Sequence, residues 1–97
     1  MVDFLIIVVT IISMDSKRFN RPIIITRHAS LRMIERNITE VMLLDIVDTG
    51  TTKYSDESHL WVFKHYPDRT DNLICAVLVL EDSVIIKTVM HHFSIEE

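Results

Sequence analysis

Apolar residues in this chain follow two different periods. Between residues 27 and 48 they recur at helical spacing; from residue 60 onward they run continuously or alternate, as strands do. Ile23-Ile24-Ile25-Thr26 reads as a short strand, set up by Pro22, which favours extended geometry in the residue before it. Thr26 is placed to cap a helix from Arg27 to Arg36, with Ala29, Met33, Leu31 and Ile34 on its inner face. Asn37 breaks that helix. Thr39 caps a second helix from Glu40 to Asp48, which stops before Gly50 as the residue just past its end. Val41, Leu44 and Val47, broadened by Leu43 and Ile46, form its core stripe. Two helices so close in sequence are expected to make an αα-hairpin.

The second half reads as strands. Thr51 to Ser55 is a short edge strand, and Leu60 to Tyr66 is rich in aromatic and β-branched residues. After the loop Pro67 to Asn72, Leu73 to Leu80 is apolar throughout, the mark of a central strand covered on both faces. Glu81-Asp82-Ser83 is a tight connection to the returning strand Val84 to Met90. The expected fold is a two-layer α+β sandwich, a helical hairpin on a small antiparallel sheet of three to four strands.

Residues 14–97 are expected to form this single α+β domain, since 97 residues bury one modest core. Residues 1–13 stand apart. Phe4 to Met14 is an uncharged run well short of the roughly 20 residues a membrane helix needs. It has no basic segment before it and no evident cleavage site, which argues against a secretory signal and a membrane role. Two readings stay open. The run is a strand buried on both faces, or translation begins at Met14 and the segment is not made.

Composition alters this picture in two ways. The lone cysteine, Cys75, lies in an apolar run, reads as a buried and inert thiol, and suits a reducing cytoplasm. The net charge is −4, but unevenly spread: Lys17 to Arg36 holds six basic residues and one acid, whereas Asn37 to the end holds four basic residues and eleven acids. A basic first third could steer an anion to one surface, or pair with the acidic body.

Candidate chemistry centres on the first helix. His28, Arg32 and Arg36 are four apart and form one cationic ridge. Lys87 and His91 are four apart on the last strand, and period two places them on one face. Histidine does acid–base work at neutral pH and arginine clamps phosphate in two prongs, the parts that cleavage of RNA by its own 2′-hydroxyl requires. Lys87 interrupts an apolar strand, either as a site residue or as a lysine that snorkels to solvent. His91-His92 does not suggest a shared metal, because neighbours on a strand point to opposite faces. Glu35 reads as a partner for Arg32 or Arg36. Arg69 reads as turn chemistry between Asp68 and Asp71, and Trp61, Phe63 and Tyr66 read as core. No cofactor is indicated.

The pattern Thr26-x-His28-Ala29-x-x-Arg32-Met33-x-Glu35-Arg36-x-Ile38-Thr39, followed by a helix ending at Gly50 and a closing strand Val84 to His91, resembles a family catalogued as domain of unknown function 4258. That family is similar to the RelE/ParE and BrnT-type toxins. The resemblance covers about Ile23 to His92 and implies a RelE-like fold. It also implies a frame in which His28, Arg32 and Arg36 face Lys87 and His91. Under it the chain would be a metal-independent, RNA-cleaving or translation-inhibiting toxin with RNA or the ribosome as target and a partner antitoxin. One departure stands out: such toxins are basic, and this chain is acidic. The other reading is a noncatalytic interaction module. With helices on one face only, the other face of Leu73 to Leu80 needs a cover, from residues 1–13, a second copy in a homodimer, or another protein.

Overall fold

Thr26 fixes both the end of a strand and the start of a helix. Its hydroxyl accepts from the Ala29 amide at 3.2 Å and donates to the Ile86 carbonyl at 2.8 Å, so the N-cap is also a tie to a neighbouring strand. The computed structural model describes residues 14–95. In chain order the elements are β1 (Asp15–Ser16), β2 (Arg21–Ile25), α1 (Arg27–Glu35), α2 (Glu40–Thr49), β3 (Thr51–Tyr54), β4 (His59–Lys64), β5 (Ile74–Leu80) and β6 (Val84–Met90). The expectation for residues 1–13 lies outside the described residues.

The fold corrects the sandwich expected from the sequence. The sheet has six strands in the order β1-β2-β6-β5-β4-β3 and curls into a half-barrel. It is mixed rather than antiparallel, because β2 pairs in parallel with β6, Ile23 opposite Val84 and Ile25 opposite Ile86. The helices do not form a hairpin layer of their own. Instead α1 packs on β6, and α2 packs on β4, β5 and β1. The sheet therefore dominates, and the RelE-like two-layer description does not hold for this chain. The sequence hid this for a physical reason. Parallel pairing joins segments some sixty residues apart and leaves no local signature, and the two-residue β1 has no hydrophobic pattern.

The inner face of the sheet and the helices share one core, which includes Ala29, Met33, Leu43, Ile46, Leu60, Val62, Leu78 and Ile86. Val41 at 80% exposure and Ile34 at 74% lie outside it, so the buried stripe of α2 is Leu43, Ile46 and Val47 rather than one that begins at Val41. Asn37 ends α1 in the left-handed region, at φ 55°. Gly50 has an ordinary φ of −72° and is needed for space: a Cβ there would stand 2.6 Å from the Ile46 carbonyl oxygen and 2.8 Å from that of Phe63. The outer face buries Phe63 and Cys75 under the C-terminal segment, where the Phe93 ring lies 5.4 Å from Phe63. Burial pushes the Cys75 thiol up to about 12.

One irregularity decides where the chemistry goes. Leu78 pairs with Ile86 and Val77 with Thr88, so Lys87 is an extra, unpaired residue in β6. Such a bulge shifts the alternation of the strand by one. Val84, Ile86 and Val89 point inward, while Ile85 and Lys87 belong to the outer face. The period-two argument that put Lys87 and His91 on one face therefore fails.

Candidate functional site

The C-terminal end of α1, the β4–β5 loop and the end of β6 meet around one carboxylate, Asp71. Arg69 grips it in two prongs, Nε to Oδ1 at 2.9 Å and Nη2 to Oδ2 at 2.8 Å. The same guanidinium donates to the Asn37 carbonyl at 2.8 Å and the Arg36 carbonyl at 2.7 Å. It thereby satisfies carbonyls that the end of α1 leaves open, and its charge suits the negative pole of the helix. The loop is stiffened by Asn72, which accepts from the Tyr66 amide and donates to the carbonyls of Tyr66 and Arg69.

On the other side of Asp71 stands His91, with Nδ1 at 3.0 Å from Oδ2. A carboxylate only accepts, so Nδ1 carries a proton, and Nε2 is the nitrogen that faces away from Asp71 and accepts in the neutral ring. The Arg69 guanidinium holds the Asp71 carboxyl far below the usual carboxylate range; partial burial opposes this and His91 adds to it. Asp71 in turn raises Arg69 above its ordinary value. The pair is well shielded, with side-chain exposures of 16% for Arg69 and 19% for Asp71, whereas His91 reaches 34%. The imidazole is the group of this trio that water or a ligand meets.

Arg36 completes the arrangement. Its Nη1 donates to the Val89 carbonyl at 2.6 Å, on the stretch of β6 beyond its pairing with β2. That bond anchors the guanidinium beside the strand that carries His91. Arg36, Asp71 and His91 line an open cleft of about 430 Å³ together with Glu35, Asp68 and Arg69. Its charges are nearly balanced, and Glu35 is drawn off by Arg32 at 2.7 Å.

The structure thus brings together two of the five residues singled out from the sequence, Arg36 and His91. Arg32 and His28 continue along α1 from the cleft, Arg32 half-exposed and His28 exposed. Lys87 lines a different cavity, a groove of about 450 Å³ on the outer face of the sheet, with Trp61, Val77, Val79 and Ile85 as its floor. Asp71 and Arg69 were the residues missed. The sequence showed their mutual pairing but not the link to His91, which is twenty residues away.

Two other polar clusters are structural ties. Tyr66 and Lys64 both donate to Asp45, joining β4 to α2 and holding the Asp45 carboxyl below its ordinary value. In the β3–β4 loop Asp56 accepts from the Ser58 amide and from His59, which lowers it to about 2. Among the described residues no three His, Cys, Asp or Glu side chains are grouped to hold a metal ion. No helix among them is long and apolar enough to cross a membrane.

The profile of a family described as Domain of unknown function (DUF4258) matches residues 25–91, and the chain belongs to that family. The matched span runs from the end of β2 through both helices to His91, and so includes every residue of the cleft. No curated protein and no solved structure matches the chain.

Proposed function

We propose that this chain acts on RNA phosphodiesters at the cleft between α1 and the end of β6, as a small translation inhibitor that a partner protein keeps in check. The observation that carries the reading is the orientation of His91 by Asp71, beside an Arg36 guanidinium with donors to spare. In the reaction the 2′-hydroxyl gives its proton to His91 Nε2 and its oxygen attacks phosphorus. The bond to the 5′-oxygen breaks, that oxygen takes a proton from water, and the hydroxide left behind takes back the proton from His91. The products are a 2′,3′-cyclic phosphate and a 5′-hydroxyl. Arg36 meets the charge that grows on the non-bridging oxygens. Asp71 fixes Nδ1 as the protonated nitrogen, which leaves Nε2 to face the substrate, and stabilises the imidazolium that forms. Arg32 and His28, further along α1, would track neighbouring phosphates.

The test is incubation of the full chain with labelled single-stranded RNA in a chelator, with cyclic-phosphate ends as the readout. His91→Ala is expected to slow cleavage about 100-fold or more, and Arg36→Ala by a similar factor. An intact RNA after prolonged incubation with wild type overturns the reading.

The apolar groove on the outer face favours a second reading, a noncatalytic interaction module. Under it the chain leaves RNA intact and that face carries the function.

A further inference from the structure

We propose that the outer-face groove is the contact surface for a second copy of this chain. Cross-strand pairing puts Trp61 beside Val77, and Val79 beside Ile85, on the face opposite the helices. All four are half-buried and none has a polar duty except the indole, so together they form a continuous apolar floor. An aromatic on such a floor is a usual anchor of a protein contact.

The charges at its two ends select the occupant. Glu81, in the β5–β6 turn, closes one end, and Lys87, outward like Ile85, closes the other, where Lys53 Nζ also stands 6.0 Å from the centre of the Trp61 ring. A two-fold axis over the Val79–Ile85 pair exchanges these ends. Each Lys87 ammonium then meets the partner's Glu81 carboxylate, and the Val79–Ile85 pairs of the two copies cover each other on the axis. A surface that carries opposite charges at opposite ends of an apolar strip is complementary to itself, as an isologous interface must be. A partner of one net sign would leave one of the two charges opposed. The cleft of Arg36 and His91 lies at the end of α1, away from this contact, and stays open in the dimer.

Sedimentation equilibrium of the full chain, over about 1 to 100 μM, tests the proposal. The expected result is a dimer, with emission of Trp61, the only tryptophan, moving to shorter wavelength as it forms. Lys87→Glu and Glu81→Lys are each expected to weaken association tenfold or more. The double variant, which restores the pairing with its ends exchanged, should return to within about threefold of wild type. All three changes are on the surface, and unchanged far-ultraviolet dichroism verifies the fold. A chain that stays monomeric at the highest concentration overturns the proposal, whether Trp61 is then open to acrylamide or shielded by another segment or protein. So does a double variant as weak as the single ones. Neither result depends on RNA cleavage, so failure here and failure of the cleft are told apart.

Discussion

The two ends of β6 differ in what a single extra residue does to them. Before the bulge, Ile85 and Lys87 face outward over an apolar groove; after it, Val89 faces the core and His91 reaches the cleft at the end of α1. Lys87 and His91 are only four positions apart, yet they serve different faces of the sheet. The outer end is a surface of burial, with charge at its margins. The inner end is a surface of orientation, where each polar group holds the next: helix carbonyls, Arg69, Asp71, His91. A bulge in a strand can thus allocate one run of side chains to two tasks.

Insertion of one alanine between Thr88 and Val89 is the harshest way to break that division. It would turn Val89 and His91 outward, so the core would lose Val89 and the cleft its imidazole. Loss of cooperative folding, or destabilisation of about 4 kcal/mol or more, is expected in urea unfolding. Asp71→Ala comes next. It leaves the shielded Arg69 charge without its carboxylate and frees His91 to rotate, for a cost of about 1–3 kcal/mol because the pair is only partly buried. RNA cleavage should fall with it, and Asp71→Asn should keep more of the stability than of the activity.

Acid titration sharpens the comparison further. Asp71 titrates in the fold far below its unfolded value of about 3.9, and Asp45 and Asp56 are also lowered. Such groups contribute stability that is present above the unfolded value and is lost as pH falls toward the folded one. The urea midpoint should therefore drop between pH 5 and pH 3, and drop less steeply in Asp71→Asn. The smallest effect belongs to Lys87→Ala, which should change monomer stability by no more than about 0.5 kcal/mol and leave RNA cleavage as it was.

How much of this was legible beforehand follows from the range of each interaction. Both helices and their threonine caps show locally, as spacing and a hydroxyl, and the caps form as expected at Thr26 and Thr39. The pairing of Glu35 with Arg32 is local too. Long-range features were not legible. The parallel register of β2 on β6, the packing of α1 on β6 rather than on α2, and the bulge at Lys87 are decided by tertiary contacts. Once the bulge was unknown, period two placed Lys87 with His91, and Arg69 looked like a turn residue rather than the clamp on α1.

Amide and side-chain shifts in a heteronuclear spectrum, followed as a short single-stranded RNA is added, decide which end of β6 meets the ligand. The account predicts changes gathered at Arg36, Asp71 and His91 and extending to Arg32, with Trp61, Ile85 and Lys87 unmoved. Changes centred on the outer groove, or a spectrum that does not respond to RNA at all, would contradict it.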